Sequence, residues 1–169
     1  METGEAILKR RSIRKYLDEE VDEELLYKLV EAGYSAPSAC NKKPFNIYVV
    51  TNKEKILLLN KSGMFTRMNS PVIIIVAGVL SRGLPGSLKQ YWIQDCAAVT
   101  QNILIKATSL GLGSCWNGLY PQEKVSNKVK NILSLDDDIV PLSLIHIGYS
   151  NENKECNSGF DQKRVFFIK

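Results

Sequence analysis

Histidine occurs once in the 169 residues, as His146, and the four cysteines, Cys40, Cys96, Cys115 and Cys156, include no C-x-x-C pair. That scarcity excludes the usual zinc-site patterns, and cysteines scattered this way read as free thiols in a reducing compartment. Long hydrophobic runs are missing too: the strongest, Val72 to Leu80, spans nine residues, far too few to cross a bilayer. The opening Met1-Glu2-Thr3-Gly4-Glu5 lacks the basic-then-apolar order of a secretory leader, so a cytoplasmic protein with no membrane partner is expected. There are no internal repeats, low-complexity tracts or Gly/Ser/Pro linkers, which makes residues 1–169 a single domain.

What is present is ordinary in amount and uneven in placement. Apolar residues make up 44% and charged residues 24%, the balance of a folded globular chain. The net charge of +4 hides a dense basic cluster, Lys9, Arg10, Arg11, Arg14 and Lys15, followed at once by Asp18, Glu19, Glu20, Asp22, Glu23 and Glu24. A nucleic-acid-coating surface rarely sets six carboxylates beside its only basic cluster, so a focused anion site fits better and no nucleic-acid partner is expected.

Periodicity predicts a first helix over about Glu5–Arg11 and a second from near Asp22, whose carboxylate could cap it, to no later than Ala36 before Pro37. A strand is predicted over Asn46–Thr51, a short helix over Lys53–Lys61, and a strand buried on both faces over Val72–Gly78. A loop at Gly83–Gly86 precedes the longest helix, about Lys89–Leu110, stopped by Gly111. Ser114-Cys115-Trp116 reads as a short strand opening a loop at Asn117-Gly118, then a helix over about Pro121–Leu133 and strands over Leu142–Gly148 and Arg164–Ile168. The alternation means a sheet covered by helices, and two helices before the first strand depart from a dinucleotide-binding order.

Two segments carry recognisable chemistry. Arg10-Arg11-Ser12-Ile13-Arg14 places three guanidiniums and a hydroxyl within five residues, with Arg10 and Arg14 on one face if the helix persists, a donor set suited to phosphate; a solvated basic turn paired with the acidic stretch is the bland alternative. Ala36-Pro37-Ser38-Ala39-Cys40-Asn41 is a loop of small and amide side chains, held extended by prolines, whose Ser38 and Asn41 can read a heteroaromatic edge; it also reads as a plain helix-to-strand connection. No catalytic triad or acid/base carboxylate pair is found.

Together with Trp92-Ile-Gln-Asp95-Cys-Ala-Ala-Val-Thr-Gln-Asn102, Leu110-Gly111-Leu112-Gly113 and His146-Ile-Gly148-Tyr149, these segments resemble the nitroreductase family of FMN-dependent oxidoreductases over nearly the whole chain. The basic segment stands for the family's R-R-S-x-R-x-F/Y opening and the loop for its A-P-S-x-x-N. The resemblance implies an α+β three-layer sandwich, with a central mixed, mainly antiparallel sheet flanked by helices and a C-terminal strand exchanged with the partner subunit. It implies a homodimer with FMN at the interface, and NADH or NADPH as electron donor. Arg10, Arg11, Ser12 and Arg14 would hold the flavin's phosphate and pyrimidine edge, Pro37, Ser38, Ala39 and Asn41 would come from the partner, Asn117 and Gly118 would present backbone N–H toward N5, and Lys163 or Arg164 would complete the phosphate site. The chain departs from the family in Lys43 and Phe45, where Gln and often Trp are usual, and in Asn117, where an acidic residue or glycine is common.

The implied activity is ping-pong hydride transfer from NAD(P)H through flavin to a small planar electrophile, a nitroaromatic or quinone, since flavin carries the chemistry and protein supplies orientation and charge. Rival readings are a same-fold enzyme of another reaction, such as dehalogenation or flavin fragmentation, and a non-enzymatic flavin-binding or redox-sensing module using Cys40 or Cys115. His146, Asp95 and most aromatic residues, among them Tyr91, Trp92 and Phe65, read as structural before functional.

Overall fold

The computed structural model describes residues 1–156 and 159–169. Helices α1 (Thr3–Lys9) and α2 (Glu23–Tyr34) precede strand β1 (Phe45–Val50), α3 (Lys53–Asn60) and β2 (Val72–Val79). Then come α4 (Tyr91–Ser109), β3 (Gly113–Gly118), α5 (Glu123–Leu133) and β4 (Ile139–Gly148). The strands form one sheet in the order β1-β2-β4-β3, and every neighbouring pair is antiparallel. Among the described residues the parallel component of the expected mixed sheet is a single bridge, Ser12 to Ser114.

The uninterrupted β-branched run of β2 makes it central, and alternate residues separate two cores. Val72, Ile74 and Val76 pack with Leu26, Leu29, Val99 and Ile103 of α2 and α4. Ile73, Ile75, Ala77 and Val79 pack with Ile56 and Leu59 of α3 and Val129 of α5. Helices therefore cover both faces, giving the three-layer α+β sandwich. Between Val76 and Ala77 the pairing with β4 slips by one residue beside Pro141, which has no N–H to give to a ladder.

Several predicted boundaries move, each for a local reason. α1 stops at Lys9, because Arg10 (φ −54°, ψ 126°) turns the chain extended, so Arg10 and Arg14 do not share a helical face. Asp22 sits at the start of α2 without capping through its side chain; its backbone carbonyl takes Leu25 and Leu26 N–H instead. Asn117 and Gly118 are the last two residues of β3, not a loop. β4 begins three residues before the predicted strand, at Ile139. The prolines do not hold residues 37–44 extended: Cys40, Asn41 and Lys43 all adopt left-handed φ of 50°, 54° and 44°.

Arg164–Ile168 is not a strand. Val165 has extended dihedrals, but a strand needs a neighbour to take its hydrogen bonds, and among the described residues none pairs with this segment. Phe166, Phe167 and Ile168 are almost fully exposed in the single chain.

Trp92 of α4 closes one end of the sheet, meeting Tyr120 edge-on at 5.1 Å and lying flat against Gly78, where any Cβ would overlap its ring. Gly78→Ala is expected to destabilise the fold by about 1–3 kcal/mol, read as a lowered urea midpoint at unchanged slope.

Candidate functional site

Residues 10–17 leave α1 as an extended segment sewn to the free edge of β3 and to the stretch after β4. Ile13 N–H donates to Ser114 O at 2.9 Å, Arg14 N–H to Glu152 Oε1 at 2.6 Å, and Leu17 N–H to Tyr149 O at 2.9 Å. Tyr16 and Asn69 exchange reciprocal bonds, Tyr16 N–H to Oδ1 at 3.1 Å and Nδ2 to Tyr16 O at 2.7 Å. The Tyr16 hydroxyl donates to Ile13 O at 2.6 Å, and burial raises its pKa.

This frame sets the three arginines apart. Arg11 is spent on carbonyls, Nε donating to Glu155 O at 2.8 Å and Nη1 to Leu8 and Arg10 O at 3.0 and 2.7 Å, with Nη2 buried and unpartnered. Arg10 and Arg14 form no ion pair among the described residues. Ser12 keeps its carbonyl against the Lys154 ammonium, which also pairs with Glu152 at 3.1 Å. Glu152 and Lys154 escape sequence reasoning because their partners lie about 140 residues away, with no local pattern to mark them.

Beyond Ser114 the edge of β3 is open. Leu119 N–H donates to Leu142 O on the β4 side, whereas Ser114 O faces outward to Ile13, which fixes the phase of the ladder. Asn117 therefore spends its backbone on β4, while Trp116 and Gly118 turn their N–H groups outward. Here lies a cavity of about 530 Å³ lined by Arg14, Cys115, Asn117, Gly118 and residues 63–68. The Asn117 amide Nδ2 donates to Phe65 O at 2.8 Å, and its Oδ1 is buried without a partner. Thr66 anchors the 63–68 wall, its hydroxyl lying 3.1 and 3.0 Å from Asn60 O and Gly63 O, and Met64 and Phe65 project their side chains at the rim. A larger groove of about 1140 Å³ shares Arg14, Arg67 and Met68, but its walls carry free charges of both signs; the smaller cavity is the one that gathers Arg14, Asn117 and Gly118.

Pro37, Ser38, Ala39 and Asn41 stand elsewhere. Their loop is pinned to the far end of β2 by Val79 N–H on Pro44 O at 2.9 Å, while the Arg14 segment lies by Gly148, next to the pairing of Val72 with Ile147. Eight strand residues separate the two ends, roughly 20 Å. The loop's left-handed turns are braced by Lys43 N–H on Ser38 Oγ at 2.9 Å and Ala39 N–H on Asp95 Oδ1 at 2.9 Å. Lys163 and Arg164 sit on an exposed turn, with Arg164 on Asp161 at 3.3 Å, and neither lines the cavity.

Of the other candidates, Phe65 lines the cavity, whereas Trp92 is core and Tyr91 lies at the start of α4. Cys115 borders the cavity, but burial pushes its thiol pKa up against the opposing pull of Arg14 and Lys154, and Cys40 is exposed without a partner thiol. His146 is fully buried, with its Nδ1 2.7 Å from Ser70 Oγ and the Thr66 backbone also within reach of the ring. Burial pushes its pKa down to about 4.

Can the cavity take FMN? A ring with a hydrogen-bonding edge and an anionic tail needs outward donors, an acceptor and a cation. The outward Gly118 N–H, the outward Trp116 carbonyl and the Arg14 guanidinium, which forms no ion pair among the described residues, supply all three, in a volume typical of ligand sites. The residues present fit the group.

The sequence profile of the nitroreductase family matches residues 7–68 and 60–149. A Methanothermobacter thermautotrophicus protein, named as a candidate NADH dehydrogenase/NAD(P)H nitroreductase, is 40% identical over 173 residues, covering 100% of this chain and 88% of that protein. A crystal structure under the same candidate name, from Parabacteroides distasonis, superposes with a TM-score of 0.92 at 32% identity, covering 99% of this chain and 98% of that one. Another, of a candidate nitroreductase in complex with FMN from Desulfovibrio desulfuricans, gives a TM-score of 0.82 at 26% identity, covering 100% and 97%. The chain belongs to the nitroreductase family.

Two outcomes follow from the buried polar groups. Asp95→Ala leaves the Ala39 N–H without its acceptor and is expected to cost about 1–3 kcal/mol in urea unfolding, with faster proteolysis at residues 38–43. His146 stays neutral in the fold down to about pH 4, while the unfolded chain takes up its proton near 6.5. The unfolded state therefore binds more protons between those values, so stability is complete above 6.5 and falls as pH drops toward 4. Roughly 2 kcal/mol should be lost between pH 7.5 and 5, and His146→Gln should flatten that part of the profile.

Proposed function

We propose that this protein is a homodimeric FMN-dependent oxidoreductase that passes hydride from NADH or NADPH to a small planar electrophile, a nitroaromatic or quinone, in a ping-pong scheme. The observation that carries the reading is the convergence, at the open edge of β3, of the Arg14 guanidinium with the outward backbone groups of Trp116 and Gly118. FMN, when bound, supplies the hydride chemistry; the chain supplies binding, orientation and charge.

Arg10 and Arg14 would hold the phosphate and the pyrimidine edge, and a guanidinium beside that edge favours the negative charge that collects there on reduction. Gly118 N–H would donate to the ring from the strand edge. Met64, Phe65 and Trp116, each substantially exposed, would form an apolar rim suited to a flat acceptor and to the exclusion of water.

The second copy is needed because Pro37, Ser38, Ala39 and Asn41 lie at the opposite end of the sheet from Arg14. Two chains related by a twofold axis would bring each loop to the other's cavity. The exposed Phe166-Phe167-Ile168 tail supports the same reading, since so large an apolar surface suits burial against a neighbouring chain. Lys163 and Arg164 would travel with that tail toward the phosphate.

The test is a titration of purified protein with FMN, followed by anaerobic NADH and then NADPH, alongside sedimentation. A dimer that quenches FMN fluorescence and whose flavin bands bleach with either nucleotide is the expected result, and Arg14→Ala should weaken FMN binding by about tenfold. A monomer that neither holds nor binds FMN overturns the reading.

A further inference from the structure

Cys40, Asn41 and Lys43, none of them glycine, crowd three left-handed backbones into four positions, at φ of 50°, 54° and 44°. Such conformations cost free energy in any residue with a β-carbon and persist only where surrounding groups hold them. Part of the hold is local: Asn41 N–H donates to Ser38 O at 2.9 Å, and Lys43 N–H to Ser38 Oγ at 2.9 Å. Ser38 Oγ thus accepts from its own loop and keeps its O–H to give outward, and Asn41 is exposed.

Among the described residues a single hydrogen bond joins this loop to α4, from Ala39 N–H to Asp95 Oδ1 at 2.9 Å. Asp95 is 5% exposed, on the stretch of α4 that buries Trp92, Cys96 and Val99, and its Oδ2 is buried with no partner among the described residues. A carboxylate in such company loses more hydration than one backbone N–H returns, so net stability does not account for it. What a carboxylate does here, and an apolar side chain cannot, is fix the point at which Ala39 N–H lies. With that point the turn carrying Ser38 and Asn41 is fixed against the longest helix of the fold.

We infer, resting on the FMN reading above, that Asp95 is a positioning residue for the flavin of the other chain: by holding Ala39 N–H it keeps the strained loop in the shape in which Ser38 and Asn41 meet that flavin. Its effect crosses the subunit boundary. A lesion at Asp95 weakens the site built on the other chain's cavity and leaves the cavity of its own chain intact.

The experiment uses Asp95→Ala and Asp95→Leu, which remove the acceptor, the second while filling the space, and Asp95→Asn, which keeps an acceptor for Ala39 N–H. FMN affinity is titrated in each purified dimer. Asp95→Ala and Asp95→Leu should each lose about 5- to 20-fold, while Asp95→Asn stays within about threefold of wild type. Destabilisation alone would not say which site is affected, so the deciding measurement is a mixed dimer. An Asp95→Ala chain and an Arg14→Ala chain, carrying different tags, are co-expressed and their heterodimer is isolated. One of its sites combines both lesions and the other has neither. The expected result is one FMN per dimer bound within about threefold of wild-type affinity, recovered from two weak parents. An Asn41→Ala chain paired with the same Arg14→Ala chain is the control and should recover equally.

Wild-type FMN affinity in folded dimers of Asp95→Ala or Asp95→Leu overturns the inference while FMN binding stands. So does a heterodimer with no recovered site when the Asn41→Ala pair recovers one, since Asp95 would then act within its own chain. Asp95→Leu replaces Asp95→Ala in the mixed dimer if the latter does not fold; if neither folds, Asp95 serves the fold and not the site, and the inference fails. Recovery in neither pair, or wild-type protein that does not dimerise or bind FMN, removes the reading beneath together with the inference.

Discussion

The architecture turns on the burial of β2 on both faces. An eight-residue run without a polar side chain cannot tolerate water on either side, and its period of two divides the run between two cores. That demand places α2 and α4 on one face and α3 and α5 on the other. It also requires strands on both edges, which β1 and β4 supply. With β3 added beyond β4, the sheet ends in one strand whose outer edge is only half used, by Ser12 and Ile13, and the cavity occupies the unused half.

Much of this was legible in the chain because the signals were local. The β-branched run of β2 and the helical spacing of Trp92, Cys96, Val99, Ile103 and Ala107 mark their elements within a few turns, and Gly111, at φ +79°, ends α4 where the sequence says it should. The failures share a different cause. α1 ends early because Arg10 to Leu17 gain more from backbone bonds to Ser114, Glu152, Asn69 and Tyr149 than from one further helical turn. No sequence window contains those partners. Likewise the 37–44 loop reads as extended from its prolines, yet Ser38 and Asp95 brace it into left-handed turns.

The site was legible as chemistry more than as geometry. Arg14, Asn117 and Gly118 were nameable from their motifs, and the structure brings these three to one cavity. It does not bring Lys163, Arg164 or the 37–41 loop there within one chain, and it commits Arg11 to carbonyls. Motif spacing reports which residue types are present, while the allotment of each hydrogen-bonding group depends on packing. The wall at 63–68 carried no motif, and it joins the site by lining the cavity and through the Asn117 bond to Phe65 O.

The segment that carries Arg14 owes its shape to contacts 138 and 144 residues distant in sequence, from Arg14 to Glu152 and from Arg11 to Glu155. Closures of that span carry a large chain-entropy cost and form only once residues 152–155 are in hand. Sheet and helices can assemble from nearer neighbours, whereas the cationic strand completes its hydrogen bonding only after residues 152–155 have folded back. A nascent or truncated chain would therefore own a sheet and its helices without yet owning an anion site, and occupancy of that site would mark a polypeptide that has finished folding.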